Sequence, residues 1–209
     1  MTLLNALQLI EKARLERAEK LNLNKMELPK LPEEIGQLTE LKRLYAFQNK
    51  LIKLPREIGQ LRNLTQLAVN NNRLRQLPPE IGDLSNLERL YLFKNDLKWL
   101  PPRICLLKKL TYLTLLNNRI VSLPPEFGEL TSLTKLFLPG NHLRHLPPEF
   151  GNLTNLSEVW LGNNRLTRLP PEIENLTNLT YLDLTGNRIH SLPTALLNKP
   201  DLKIDGWDN

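Results

Sequence analysis

The sequence predicts an α/β solenoid, in which short repeated units stack into a curved rod. One parallel sheet is expected on its concave side, with short helical or 3₁₀ turns on its convex side and a capping helix at its N-terminal end. Three observations support this prediction. A leucine pattern returns every 23 residues, an asparagine column accompanies it, and a Leu-Pro pair follows each asparagine.

The leucine pattern reads L-x-x-L-x-L-x-x-N-x-L and has no insertion or deletion between copies. It begins at Leu41, Leu64, Leu87, Leu110, Leu133, Leu156 and Leu179. A degenerate earlier copy begins at Ala18 and has Met26 in place of the asparagine, so the chain has eight repeats. Apolar residues that alternate at period two predict short strands with one buried face, stacked in parallel about 4.8 Å apart.

The asparagine column is expected to be structural. It comprises Asn49, Asn72, Asn95, Asn118, Asn141, Asn164 and Asn187. Inward-facing amides can satisfy backbone groups where the chain leaves each strand. The prolines that follow are Pro32, Pro55, Pro78, Pro101, Pro124, Pro147, Pro170 and Pro193. Proline lacks a backbone donor, so each strand should end before it and a turn should follow.

We expect a single domain over residues 1–209, with eight repeats over 18–193, the last one truncated into the C-terminal cap. Residues 1–17 are predicted to form a helical cap that begins at Thr2. Its apolar stripe is predicted at Leu3, Leu4, Leu7, Ile10 and Ala13 or Arg14. Such a helix can also bind a partner, but capping is favoured because the first repeat would otherwise expose its leucines. Residues 194–209 are predicted to cap the other end with Leu196, Leu197, Leu202, Ile204 and Trp207.

Composition favours a cytoplasmic protein. The single cysteine, Cys105, cannot form an internal disulfide, and no signal peptide is recognisable at the N-terminus. No apolar stretch approaches the roughly 20 residues that span a bilayer.

The net charge of +6 is concentrated on one flank of the predicted solenoid. A basic edge strip follows the asparagine column and comprises Lys30, Lys50, Lys53, Arg73, Arg75, Lys98, Arg119, Arg144, Arg165, Arg168 and Arg188. Two acids, Glu27 and Asp96, interrupt it. The strip is either a solvated surface, which is favoured, or a site for nucleic acid or another anionic surface.

No catalytic, metal or cofactor constellation is recognisable. The edge-loop histidines, His142, His145 and His190, do not form a metal-ligand set with Cys105. Glu158 and Asp183 could be neighbours on adjacent strands, but Lys135 is an equally close neighbour of Glu158 and an open sheet excludes no water. The sequence therefore predicts a protein that is not an enzyme and has no cofactor.

The unit L-P-P-E-I-G-x-L-x-x-L-x-x-L-x-L-x-x-N-x-L resembles the leucine-rich-repeat family. The match is carried by its first part, L-P-P-E-I-G-D-L-S-N-L at 77–87 and L-P-P-E-F-G-N-L-T-N-L at 146–156. The unit looks like the 23-residue intracellular type of plant and animal Ras-group proteins, and residues 10–23 are similar to the entry of bacterial Roco repeat domains. This resemblance implies a horseshoe-shaped protein-interaction module, in intracellular signalling and with a partner from a GTPase pathway. The chain has no G-x-x-x-x-G-K-[ST] phosphate loop of its own.

The predicted partner-binding residues lie at the variable strand positions of the concave face. They are Arg43, Tyr45, Phe47, Arg89, Tyr91, Phe93, Tyr112, Phe137, Trp160 and Tyr181. Eight of the 12 aromatic residues of the chain fall at these positions. Strands favour aromatic residues in any case, and neighbouring rings could simply shield one another. An exposed aromatic face beside arginines nevertheless favours protein binding. Aromatic residues interleaved with arginines could also stack single-stranded bases, but the repeat resemblance implies protein partners, so nucleic acid is disfavoured. Lys42, Arg43, Arg89 and Lys94 make the first half of the face basic, and Glu158 and Asp183 are expected to make the second half acidic.

Overall fold

The computed structural model describes residues 2–207, without the side chain of Thr2. Helix α1 (Thr2–Leu15) precedes the repeats, and a short helix α2 (Thr194–Leu197) follows them. The strands are β1 (Lys20–Asn22), β2 (Arg43–Tyr45), β3 (Gln66–Ala68), β4 (Arg89–Tyr91), β5 (Tyr112–Thr114), β6 (Lys135–Phe137), β7 (Glu158–Trp160), β8 (Tyr181–Asp183) and β9 (Lys203–Asp205). This architecture confirms the predicted solenoid.

The nine strands form one parallel sheet in chain order. Each residue of β1 to β7 pairs with the residue 23 positions later, as in Leu44↔Leu67. The last strand, β9, pairs with β8 at an offset of 22, with Tyr181 opposite Lys203. The sequence did not predict β9, because residues 203–205 carry no repeat signature.

Short 3₁₀ helices form the convex side, as predicted. They span Glu33–Gln37, Arg56–Gln60, Pro79–Asp83, Pro102–Leu106, Pro125–Glu129, Pro148–Asn152 and Pro171–Asn175. Between them and the sheet lies one core of repeated leucines, in which Phe127 and Phe150 stack at 6.4 Å between ring centroids. A Cβ on Gly128 would lie 2.2 Å from the carbonyl oxygen of Glu149, so this turn needs glycine to pack against the next one.

The asparagine side chains bind the backbone of neighbouring repeats, as predicted. Asn118 is typical: its Nδ2 donates to the carbonyl oxygens of Leu92 and Leu115, and its Oδ1 accepts from the Leu97 N–H. A second amide ladder, which the sequence analysis missed, lies on the other side of the repeats. There Asn63 donates to the Thr39 carbonyl, and Asn86, Asn155 and Asn178 repeat this bond.

The residue before each ladder asparagine adopts a left-handed backbone. Asn71, Asn117 and Asn163 have φ between 52° and 54°, and Gly140 and Gly186 have φ of 66°. Asparagine and glycine tolerate this region, which explains the recurring Asn-Asn and Gly-Asn pairs. Gln48 and Lys94 adopt it as well, at 55° and 54°.

The caps match their prediction only in part. In α1 the buried residues are Ala6, Ile10 and Ala13, whereas Leu4 is 61% exposed. The prediction for Leu4 was wrong because the buried stripe runs along positions 6, 10 and 13, and Leu4 lies beside it. The predicted N-cap contact of Thr2 rests on its side chain, which lies outside the described part of the structure.

At the C-terminal end Leu196 is buried, and Leu202, Ile204 and Trp207 pack partly buried against the core. Leu197 is 44% exposed, so its predicted capping role was also wrong. The one-turn helix α2 has room for only one of the two adjacent leucines on its inner face.

Candidate binding surfaces

Aromatic rings form a continuous ladder along the second half of the concave sheet. Ring centroids are separated by 5.1 Å for Tyr91–Tyr112, 5.2 Å for Tyr112–Phe137, 5.8 Å for Phe137–Trp160 and 4.5 Å for Trp160–Tyr181. The ladder moves between two strand positions because Tyr112 and Tyr181 begin their strands, while the other rings end theirs. All five side chains are half-buried, so their mutual shielding is real but incomplete.

A shallow apolar depression of about 510 Å³ opens at the centre of this ladder. It is lined by Tyr91, Phe93, Tyr112, Thr114, Leu116, Phe137, Pro139, Trp160 and Asp183. Thr114 forms the gap, because it is a small residue that pairs with Tyr91 on one side and Phe137 on the other. The depression thus lies where Thr114 takes the place of an aromatic residue between Tyr91 and Phe137.

Sequence reasoning did not select Thr114, Leu116 or Pro139 as site residues. The signal was present in the sequence, since a small residue interrupts the aromatic run of its column. Recognising the cavity required knowing which side chains of adjacent repeats face each other.

The predicted residues in the first half of the face lie apart from the ladder. Tyr45 is separated from Tyr91 by Ala68, which is buried. The ammonium group of Lys20 lies 5.4 Å from the centre of the Tyr45 ring. Arg43 and Arg89 are exposed, and Phe47 and Phe93 are half-buried. This half offers cations and isolated rings.

The expected acidic second half is not observed. Lys135 Nζ donates to Glu158 Oε1 at 2.6 Å, which neutralises that carboxylate. Asp183 is buried and accepts hydrogen bonds from the backbone N–H and hydroxyl of Thr185. Lys42 is also neutralised, because it pairs with Glu19 at 2.6 Å. The net charge of the face therefore comes from exposed cations such as Arg43, Arg89 and Lys94.

The C-terminal strand closes this end of the face. The Tyr181 hydroxyl donates to Asp205 Oδ2 at 2.6 Å, and Lys203 Nζ lies 3.1 Å from Oδ1 of the same carboxylate. The hydrogen bond to Asp205 raises the pKa of Tyr181 to about 12, and it lowers the pKa of Asp205. Tyr181 thus joins the aromatic ladder to the C-terminal strand.

The basic edge strip is partly neutralised. Glu27 pairs with Lys50, and Asp96 pairs with Arg119 at 2.8 Å. Arg144, Arg165, Arg168 and Arg188 line one cleft with His145 and Thr167. None of these four arginines forms an ion pair within residues 2–207.

Cys105 is the one thiol in the sequence, and it is buried where other repeats carry glycine. Burial, followed by the nearby Glu126 and Glu129, raises its pKa to about 12. A thiol needs its thiolate form to act as a nucleophile, so Cys105 is inert at neutral pH. Among residues 2–207, no group of three or more His, Cys, Asp or Glu side chains is arranged to hold a metal ion.

Comparison with protein families agrees with this geometry. The family described as "Leucine-rich repeat region" matches residues 7–96, and the family described as "Leucine rich repeat" matches residues 108–166 and 131–189. The chain belongs to the leucine-rich-repeat family. No curated protein matches this leucine-rich-repeat chain in sequence.

Solved structures of other leucine-rich-repeat proteins are similar. A leucine-rich-repeat protein from Leptospira interrogans is 34% identical at a TM-score of 0.65, and the match covers 92% of this chain and 61% of that one. The plant peptide hormone receptor RGFR1, in complex with RGF2, is 28% identical at a TM-score of 0.79, and the match covers 93% of this chain and 36% of that one. The repeat domain of the type III effector XopL is 27% identical at a TM-score of 0.76, and the match covers 98% of this chain and 81% of that one. The chain thus spans less than two thirds of the first two structures.

Proposed function

We propose that this leucine-rich-repeat chain binds a protein segment on its concave face. The observation that carries the proposal is the apolar depression at Thr114, which aromatic rings surround. Apolar cavities of this kind hold the anchor side chains that dominate binding energy at protein interfaces. Among the similar structures, the plant peptide hormone receptor is in complex with RGF2, which supports peptide recognition by this fold.

The preferred partner is a segment with an apolar anchor and acidic residues to one side. The anchor would fill the depression, and the acidic residues would lie over Arg43 and Arg89 on β2 and β4. These arginines begin strands two rungs apart, which corresponds to about 9.6 Å at the usual strand spacing. The indole N–H of Trp160 is buried without a hydrogen-bond partner in the described part of the chain. A small rotation of this ring toward an acceptor on the bound segment would gain a hydrogen bond.

The role is proposed to be recognition without catalysis, in the cytoplasm and in intracellular signalling. The inert Cys105 and the ion-paired Glu158 support a non-catalytic surface. The proposal that the partner belongs to a GTPase pathway rests on the repeat resemblance alone. In the described residues, no helix has both the length and the apolar character needed to cross a bilayer.

The test uses the paired variant Phe93→Ala/Leu116→Ala, which widens the depression and leaves the ring ladder intact. The control is Ile52→Ala/Val121→Ala, which removes apolar side chains that are 51% and 46% exposed on the edge strip. Partner capture from the source cytosol is compared at low and high salt, and thermal melting confirms folding. We expect the concave variant alone to lose a protein that wild type retains at both salt concentrations. Equal retention by both variants would overturn the proposal.

The basic edge strip is the second candidate, because the cleft with four arginines lacks a carboxylate. Binding of nucleic acid or another anionic surface there would fall steeply with salt. In the same capture experiment, recovery of mainly nucleic acid that high salt removes and neither variant affects would favour this surface.

A further inference from the structure

The C-terminal end of the basic edge strip forms a cleft of about 720 Å³. Four guanidinium groups, the His145 imidazole and the Thr167 hydroxyl line it. All of these side chains are exposed, and no carboxylate lines the cleft. Guanidinium groups only donate hydrogen bonds, so the cleft suits a ligand rich in acceptors.

Two pairs of opposite charges neutralise each other in the column that directly follows the ladder asparagines, while Arg73 in the same column forms no ion pair among the described residues. Glu27 and Lys50 occupy adjacent repeats and pair, and so do Asp96 and Arg119. Arg165 and Arg188 occupy the same column in the last two repeats, where both positions are cationic. The pairing of a carboxylate with a cation on adjacent rungs, as in Glu27–Lys50 and Asp96–Arg119, is therefore absent from the last two repeats.

The backbone holds these two arginines on adjacent rungs. Arg165 N–H donates to the Leu143 carbonyl and Arg188 N–H donates to the Leu166 carbonyl, each at 2.8 Å. The two side chains therefore leave the backbone one rung apart, which is about 4.8 Å. Like charges on neighbouring rungs repel each other, and an anion between them would relieve the repulsion.

Arg144 and Arg168 extend the pair into a cluster. Arg144 lies three positions after its ladder asparagine, and Arg168 lies four positions after its own. Both line the same cleft as Arg165 and Arg188. Planar guanidinium groups bind phosphate through paired hydrogen bonds. A phosphomonoester carries about −1.5 to −2 charges at neutral pH, so two of them balance four arginines.

We propose that this arginine cluster binds a compact anion that carries at least two phosphate groups. The site is independent of the concave face. Its compactness argues against a track for a nucleic-acid backbone, because His142 and the ion-paired Arg119 separate the cluster from Arg73 and Arg75 further along the strip, which form no ion pair among the described residues. At the other end, Lys53 lines a cleft together with Glu33, Glu34 and Glu57.

The first test titrates the whole chain with inorganic tripolyphosphate in a calorimeter, at an ionic strength of about 0.15 M. The variant Arg165→Gln/Arg188→Gln removes two charges from the cluster. The control Arg73→Gln/Arg75→Gln removes two exposed charges from the same strip, outside the cleft. Hydrogen bonds to charged groups are strong enough that we expect the cluster variant to weaken binding about 10- to 100-fold and the control to weaken it less than about twofold.

A second arm identifies the source of the phosphates. Phosphatidylcholine vesicles with and without phosphatidylinositol bisphosphate are sedimented with the protein. Retention that depends on the bisphosphate lipid and on Arg165 and Arg188 assigns the site to a lipid headgroup. Tripolyphosphate binding without vesicle retention assigns it to a soluble anion.

Three outcomes would overturn the proposal. One is that wild type binds neither probe. Another is that both double variants weaken binding equally, which would indicate a diffuse effect of net charge. The third is that single-stranded DNA binds more tightly than tripolyphosphate and depends on both arginine pairs, which would indicate an extended nucleic-acid surface. Unchanged melting temperatures establish that each variant is folded.

Discussion

Replacing Asn141 with alanine tests the inner asparagine ladder most sharply. Asn141 is 3% exposed. Its Nδ2 donates to the carbonyl oxygens of Leu115 and Leu138, and its Oδ1 accepts from the Ile120 N–H, each at 2.9 Å. Alanine removes these three hydrogen bonds and a longer one of 3.4 Å to the Pro139 carbonyl, which keeps the Asn117 N–H as a donor, and it leaves a small cavity.

The cost follows from which backbone groups keep a partner. The Leu115 carbonyl also accepts from Asn118, and the Leu138 carbonyl also accepts from Asn164. Both carbonyls therefore stay satisfied, and the buried Ile120 N–H is the group that loses its partner. An unsatisfied buried donor costs about 1–3 kcal/mol, and the cavity and lost second bonds bring the expected loss of unfolding free energy to about 2–4 kcal/mol.

Asn187→Ala is the matched control. Asn187 makes the corresponding bonds, including one from the Leu166 N–H to its Oδ1, but its side chain is only half-buried. Water can replace part of the lost hydrogen bonds there, so we expect the free energy of unfolding to fall by about 1 kcal/mol.

Urea unfolding followed by circular dichroism measures both variants against wild type, with unchanged m-values as the check on comparability. A loss below about 0.5 kcal/mol for Asn141→Ala would refute the reasoning, since a buried unsatisfied donor must cost more. A larger loss for Asn187→Ala than for Asn141→Ala would refute it as well.

Three further predictions concern single positions. Gln48→Gly removes the strain of a non-glycine residue in the left-handed region. We expect the free energy of unfolding, measured with urea, to rise by up to about 1 kcal/mol, because the strain relieved exceeds the entropy cost of glycine. A fall in the free energy of unfolding would contradict this. Cys105 should resist alkylation at pH 8 until the protein unfolds, and rapid labelling of the native protein would contradict its burial. Burial raises the pKa of the Cys105 thiol from 9.0 to about 12 in the folded protein. Its contribution to the free energy of unfolding should therefore be complete below pH 9.0 and should be lost as the pH rises toward about 12. Asp205→Asn should lower the pKa of Tyr181 from about 12 toward 10.0, measured by phenolate absorbance, because the anion that opposes ionisation is removed; an unchanged titration would show that Asp205 is not the cause.

The fold was predictable because each repeat presents the same physical requirement. Leu44 and Leu67 pair across strands because identical spacing puts them in the same register. The asparagine ladder followed from the need to satisfy backbone groups at the strand ends. The ninth strand was not predictable, because Lys203 and Asp205 join the sheet through backbone pairing that any sequence can provide.

The candidate site was predictable in outline and not in its charges. The aromatic residues were located correctly on the concave strands by period alone. Whether Glu158 contributes an acidic surface depended on the reach of the Lys135 side chain across one rung. Asp183 ends the next strand, β8, and its carboxylate turns to Thr185. Such choices depend on side-chain rotamers, which a repeat pattern does not specify.

Site-specific crosslinking locates the surface on which the partner docks, which we propose to be the aromatic concave face. A photoreactive amino acid is placed at Leu116 in the depression or at Val121 on the edge strip, and the protein is irradiated in the source cytosol. We expect one protein to crosslink strongly from position 116 and not from position 121. Crosslinking of that protein from position 121 and its absence from position 116 would contradict the account.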